Sequence, residues 1–142
     1  MSRYQSVLLL CAVVFIGGCA SGLSSIEKRQ YMAYEREGVL IKEKNPTTGA
    51  VLGLLPGIGS FYAREPALGV VNLLFWPISI LWDPISGYQG SKSINYSATV
   101  YQRKQQKDKA LDELADNLAV GHINSKQYIA KKRDIERKYD VN

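Results

Sequence analysis

Few residues in this chain are of a type that does chemistry. It has one histidine, His122, and two cysteines, Cys11 and Cys19. A structural zinc site draws four ligands mostly from Cys and His, and even a catalytic site needs three. A Ser-His-Asp arrangement needs a nucleophile and a carboxylate on opposite sides of one imidazole. Nothing marks either around His122, which falls in an expected turn and reads as a solvated residue. The segment GLLPGIG at 53–59 is rich in glycine but lacks the Gly-Lys-Ser/Thr ending that cradles phosphates, and no clear strand precedes it. Asp112, Glu113, Asp116, Asp134 and Glu136 alternate with Lys and Arg, which is the pattern of a solvated helix surface. The same reading covers Lys131, Lys132, Arg133, Arg137 and Lys138, a basic cluster whose other use is to touch anionic lipid or polymer. No catalytic, metal or cofactor-binding residue is expected, so the chain does not read as an enzyme.

Composition sets wider bounds. The chain has 142 residues, 46% hydrophobic and 22% charged, ordinary figures for a folded protein. The apolar residues concentrate in 7–18 and 49–85, and the last forty residues are strongly polar. Eighteen Lys and Arg against thirteen Asp and Glu give a net charge of +5. That suits an anionic membrane face, but no basic stripe with reading elements points to nucleic acid.

The residues that can do chemistry therefore reduce to Cys19, and its neighbours say what for. Residues 1–6, MSRYQS, carry Arg3, and VLLLCAVVFI at 7–16 is uninterrupted apolar sequence. Gly17, Gly18, Cys19, Ala20 and Ser21 follow. A basic start, a short apolar core and a small-residue exit are the three parts of a secretory signal. The core is about 12 residues, roughly 18 Å as a helix, too short for a bilayer interior of about 30 Å. Ile16-Gly17-Gly18-Cys19 resembles a bacterial lipobox. The resemblance implies cleavage between Gly18 and Cys19, a diacylglyceryl group on the Cys19 sulfur and acylation of the new amine, palmitate being a typical chain. The residues alone also admit a plain signal peptide or an uncleaved helix with an incidental cysteine. Cys11 leaves with the apolar core, so the mature chain holds Cys19 alone and no internal disulfide. Arg3 leaves too, taking the net charge from +5 to +4. One acyl chain contributes about 5.5 kcal/mol of membrane binding, and three give roughly 15 kcal/mol once imperfect additivity is allowed for. Ala20, rather than Asp, resembles the sorting signal of outer-membrane lipoproteins in proteobacteria.

Downstream, Ser24-x-x-Glu27 and Gly38 bracket a short exposed helix over 22–38, and VLIKEKN at 39–45 could be extended. Residues 45–90 hold the apolar part. Asn45-Pro46 forms an N-cap and N1 pair and predicts a helix to about Leu55. Pro56-Gly57-Ile58-Gly59 breaks it. Pro66 starts a second apolar helix that Pro77 bends or ends, and Asp83-Pro84 signals another turn. PGIGSFY at 56–62, Arg64, Gly69 and Trp82-Asp83 resemble the short membrane hairpins of the TM-two domain family. Gly49, Gly53 and Gly57 recur every fourth residue, either as a close helix–helix contact face or as a loose, bend-prone segment. Trp76 and Trp82 fit a headgroup boundary or, preferably, a core.

Ile94, Ala98, Tyr101, Leu111, Leu114, Ala115 and Leu118 predict a long helix over 92–120. Its middle, QRKQQKDK at 102–109, is fully polar and reads as a solvated rod or linker. Gly121 ends it, and Asn124-x-x-Gln127 predicts a capping box for a last helix to about Tyr139. Leu111, Leu114, Leu118, Gly121, Ile123, Tyr128, Lys131 and Ile135 resemble the SHOCT module, a C-terminal helical hairpin. That resemblance implies association, with Leu111, Leu114, Leu118, Ile123, Tyr128 and Ile135 as the face. About 30 residues bury too little surface to stand alone, so the tail must pack on the chain or on another copy.

The expected fold is mainly α, an apolar helical hairpin with a Gly/Pro-rich bend followed by a long helix and a short C-terminal helical hairpin. The segments are a signal peptide at 1–18, a lipidated N-terminus and short helix at 19–44, the apolar hairpin at 45–90, a helical linker at 91–109 and the tail hairpin at 110–142. The expected role is that of a lipid-anchored cell-envelope lipoprotein, in the outer membrane facing the periplasm, acting by structural association. Its partners would be the membrane, through the anchor, and a second copy or an envelope protein. The alternative is an inner-membrane protein whose apolar hairpin inserts and organises or senses the bilayer.

Overall fold

A computed structural model describes residues 22–140 of the chain. Gly18 and Cys19, and the signal segment before them, lie outside the described residues. Every regular element among the described residues is helical, so the chain is mainly α as expected. Six α-helices follow in order: α1 Ser25–Arg36, α2 Pro46–Leu52, α3 Ile58–Tyr62, α4 Pro66–Leu74, α5 Asp83–Ala119 and α6 Ser125–Tyr139, with a 3-10 turn at Ile78–Leu81. Contacts divide them into two compact units. Unit 1 comprises the described residues 22–25 with Lys42–Asn95, and unit 2 comprises Ile26–Ile41 with 96–140.

Helix boundaries follow local chemistry. The Asn45 side chain accepts hydrogen bonds from the Thr47 and Thr48 N–H groups at 2.9 and 3.2 Å, and Pro46 opens α2. Such a cap is worth about 1 kcal/mol. The helix ends at Leu52, earlier than the expected Leu55. The first apolar run is thus two short helices, α2 and α3, with a turn between them. Gly57 in that turn has φ +70°, and a Cβ there would lie 2.2 Å from the Gly69 carbonyl oxygen. Helix α4 stops at Leu74, short of Pro77, because residues before a proline disfavour the α conformation. Asp83-Pro84 does not make a turn but starts α5. A proline in the first helical turn sacrifices no intrahelical bond. The long helix therefore begins nine residues before the expected start at Lys92 and runs 37 residues, about 55 Å.

Inside unit 1, α2 lies against the start of α5 with almost no side chain between them. A Cβ on Gly49 would meet the Gly87 carbonyl oxygen at 2.4 Å, and one on Gly87 would meet the Gly49 oxygen at 2.2 Å. Gly53 is equally close to Pro84. Of the two readings of the glycine spacing, the close contact face holds for Gly49 and Gly53, whereas Gly57 serves the turn. The non-helical segment 39–45 forms no strand. In unit 1 the Asn95 amide clamps it: Oδ1 accepts from the Lys44 N–H and Nδ2 donates to the Lys44 carbonyl, both at 2.8 Å.

Unit 2 has an aromatic interior. Tyr31 and Tyr34 of α1 are buried, and the Tyr34 and Tyr96 rings meet at 6.3 Å. The Tyr96 hydroxyl donates to Gln30 Oε1, and Thr99 Oγ1 accepts the Ile41 N–H at 2.9 Å. The expected capping box at α6 is present, with Asn124 and Gln127 exchanging side-chain and backbone bonds at 2.9 Å each. At the other end of α6, Arg103 Nη2 from α5 donates to the Lys138 carbonyl at 2.7 Å and the Tyr139 carbonyl at 3.3 Å. A cation there satisfies orphan carbonyls and opposes the helix dipole. The guanidinium also lies over the Tyr34 and Tyr139 rings, and Lys107 pairs with Asp140 at 2.7 Å.

Candidate functional site

Unit 1 encloses polar side chains. Ser60, Asp83, Ser91 and Asn95 are fully buried, and Asn72 and Ser79 are each 1% exposed. Asp83 is the hub. Its Oδ1 accepts the Ser60 N–H at 3.1 Å, the Ser60 hydroxyl and the Asn72 amide at 2.8 Å. Asn72 Nδ2 also donates to Ser60 Oγ at 2.9 Å, and Asn72 Oδ1 accepts the Trp82 indole N–H at 2.8 Å. Four elements are tied together in this way: α3 through Ser60, α4 through Asn72, the end of the 3-10 turn through Trp82, and α5 through Asp83. The carboxylate also begins a long helix, where the macrodipole favours negative charge. Asp83 Oδ2 has no hydrogen-bond partner within the protein. Ser91 is satisfied by the Gly87 carbonyl one turn earlier, at 2.7 Å.

The outer surface of the unit is apolar. Leu74 is 76% exposed, Leu81 73% and Trp76 54%. Exposed too are Val51, Leu54 and Leu55 around the end of α2, Phe61 on α3, Val70 and Leu73 on α4, Phe75, Ile78 and Ile80 beyond it, and Ile85 on α5. The preferred reading of both tryptophans as core residues needs correction. Trp82 is half-buried and bonded inward, but Trp76 points out. Ordinary soluble domains of this size rarely expose so many large apolar side chains, and a concentration of them marks a protein or membrane contact. Small residues at helix contacts and polar side chains as interior glue are the packing chemistry of proteins surrounded by lipid. Among the described residues no helix is long and apolar enough to cross a membrane.

Unit 2 places the six residues of the expected association face as follows. Leu114 is buried, and Leu111, Leu118, Ile123, Tyr128 and Ile135 are half-buried, while Val120 and Ile129 are the more exposed apolar residues of the tail. Arg103 and Lys107 lie in the segment read as a fully solvated rod, yet both are half-buried and bonded to the end of α6. A signal for them exists in the spacing. Asp83, Gly87, Ser91, Asn95, Thr99, Arg103 and Lys107 fall at every fourth residue, one ridge of an α-helix. Burial pushes the Tyr34 and Tyr96 hydroxyls above the ordinary phenol range.

His122 is exposed in the turn after α5, with Nδ1 3.4 Å from Asn117 Oδ1. Among the described residues no three His, Cys, Asp or Glu side chains gather where a metal ion could be held. In the basic cluster of α6, Arg137 pairs with Asp134 at 3.2 Å and Lys138 lies over the Tyr139 ring. The apolar exterior of unit 1, closed over its Ser60–Asn72–Asp83 network, is therefore the feature of this chain that asks for a partner. Comparison with protein-family models, with curated proteins and with solved structures finds no match to the chain.

Proposed function

We propose that this chain is a lipid-anchored bacterial cell-envelope lipoprotein with a structural, associating role and no catalytic activity. The observation that carries the reading is the exposed apolar exterior of unit 1, which needs an apolar neighbour. The signal-like start and the lipobox-like Ile16-Gly17-Gly18-Cys19 supply a membrane for it. Gly22 supports the link, because it packs against Gln89 of α5 in unit 1. Only Ala20 and Ser21 stand between it and Cys19, a reach of at most about 10 Å. Ala20 favours the outer membrane, with the folded part in the periplasm. Partners in this reading are the bilayer and a second copy or an envelope protein.

The test is intact-mass analysis of the mature chain. A start at Cys19 with added acyl chains is the expected result; a free thiol, or a chain retaining residues 1–18, overturns it. The second reading, an inner-membrane protein whose apolar segment organises or senses the bilayer, is favoured by the lipid-like packing of unit 1. Fractionation of Cys19→Ala, exported behind a cleavable signal peptide in place of residues 1–18, separates the two, since only the second predicts integral behaviour without the anchor together with an inner-membrane location.

A further inference from the structure

We propose that unit 1 embeds in a single leaflet of the bilayer, its apolar exterior covered by acyl chains on all sides, without crossing to the far face. The inference rests on the anchored reading for which membrane is involved, but its geometry is independent of Cys19.

Unit 1 has two ends of opposite character. One is a polar collar. There the Arg64 guanidinium pairs with Glu43 at 3.0 Å, Lys44 Nζ lies 4.3 Å from the Tyr62 ring centroid, and the Tyr62 hydroxyl accepts the Asn45 N–H. The clamp of Asn95 on Lys44 puts residues 92–95 of α5 at the same level. The other end is an apolar tip. The Asn72–Asp83 bond and the Gly53–Pro84 contact bring the late part of α4, the end of α2 and the start of α5 together there. Leu74, Phe75, Trp76 and Leu81 surround them, all exposed.

Two lengths measure the distance from collar to tip. Helix α4, from the collar at Pro66 to Leu74, has 9 residues, about 13.5 Å. Along α5 the next charged residue after the buried Asp83 is Lys92, again about 13.5 Å away. Half of a hydrocarbon core about 30 Å thick is about 15 Å. Both rulers therefore match one leaflet and fall well short of two.

Acyl chains fit this surface better than a second protein does. A protein partner covers one face. Here α2, α3, α4, the 3-10 turn and the start of α5 all show apolar side chains, so the covering medium must surround the unit. Ser60 and Asn72 find their partners within the unit, and Asp83 Oδ2 is the oxygen of this network that has none in the protein.

The test uses the acylated chain and a Cys19→Ser chain produced without residues 1–18, each reconstituted into phosphatidylethanolamine–phosphatidylglycerol vesicles containing lipids brominated at defined acyl positions. Trp76 fluorescence, isolated by difference against Trp76→Phe, should be quenched most by bromines near the acyl ends and little by aqueous iodide. A thiol at Arg64→Cys should react with an impermeant reagent from the protein's own side. A thiol at Leu74→Cys should react from neither side. The double variant Leu74→Glu with Leu81→Glu alters two exposed positions and should lower vesicle binding of the Cys19→Ser chain at least about tenfold. Iodide quenching of Trp76 as strong as in water overturns the proposal. So does reaction of Leu74→Cys from the opposite face, which means crossing, and so does crosslinking of copies at Leu74 without bromine quenching, which means a protein covers the surface. Deep quenching in the Cys19→Ser chain sustains the embedding even if mass analysis finds the natural thiol free, so failure of the anchor and failure of the embedding give different results.

Discussion

In unit 1 the most deeply enclosed side chains are polar, Ser60, Asn72, Ser79, Asp83, Ser91 and Asn95, with Leu23 and Ala63 the buried apolar ones, whereas in unit 2 the buried side chains are Tyr31, Tyr34 and Leu114, with Thr99 bonded to the backbone. The outsides differ as well. Leucines and aromatics coat unit 1, while α6 shows lysines, arginines and carboxylates. In water, stability comes mainly from removing apolar surface, and unit 2 is organised that way. Unit 1 leaves much of its apolar surface out and draws on backbone contact and a buried hydrogen-bond network around Asp83 Oδ1. Those terms grow in an apolar medium, because the alternative for each polar group there is to go unpaired. One chain of 142 residues is thus built to two opposite rules.

Substitutions that suit one rule and offend the other test this contrast. The largest effect is expected at the glycine contact. Gly87→Val would push a side chain into the Gly49 carbonyl and should cost unit 1 about 3 kcal/mol or more. Hydrogen exchange read by mass spectrometry should show α2 and α3 unprotected and α6 unchanged. Next is Asp83→Leu, an apolar replacement that would help an ordinary core. Here it strands the Ser60 and Asn72 donors and should cost about 3 kcal/mol. Higher protection in α3 and α4 after this change would break the comparison. In unit 2, Arg103→Ala removes the cap on α6 and the cation over two rings. It should cost about 2 kcal/mol, lost from α6 first, with α4 unaffected.

Two smaller effects sharpen the contrast. The Tyr34 and Tyr96 hydroxyls are held above their ordinary value of 10.0 by burial in the folded chain. The unfolded chain therefore gives up these protons first as pH rises. Stability from this source is complete below about pH 10 and falls as pH climbs above it. Thermal melts followed through pH 9 to 11 should weaken in unit 2, and Tyr34→Phe should flatten the fall. Smallest of all, Leu81→Gln should change unit 1 by under about 0.5 kcal/mol in water, since an exposed position has little to lose.

Much of the helical plan was legible because it rests on local chemistry. Asn45-Pro46, Pro66, Gly121 and the Asn124–Gln127 box each act within one turn of chain, and each marks a boundary found in the structure. Boundaries that depend on distant contacts were not legible. Helix α5 starts at Asp83 because the carboxylate is held by Ser60 and Asn72, residues 23 and 11 positions away. The inversion of unit 1 was hidden for a related reason. Leucine and valine at helical spacing look the same whether they face inward or outward. The informative letters were the small and polar ones between them, Ser60, Asn72, Ser79 and Gly87, which interrupt an apolar pattern and in fact form the interior. Arg103 was obscured by its polar neighbours in QRKQQKDK.

The Gly49–Gly87 contact also constrains how this protein can vary. A core of leucines tolerates trimming and regrowth, since neighbours shift to fill or free space. Where two main chains already touch, nothing remains to trim, and every available change is an enlargement. Tolerance at these positions should therefore be one-sided, and a saturating mutational survey of unit 1 should find permissive sites outside and near-invariant ones within. Lasting change in this part of the molecule would then accumulate as exchanges of one greasy side chain for another on the exterior, with the contact beneath left as it is.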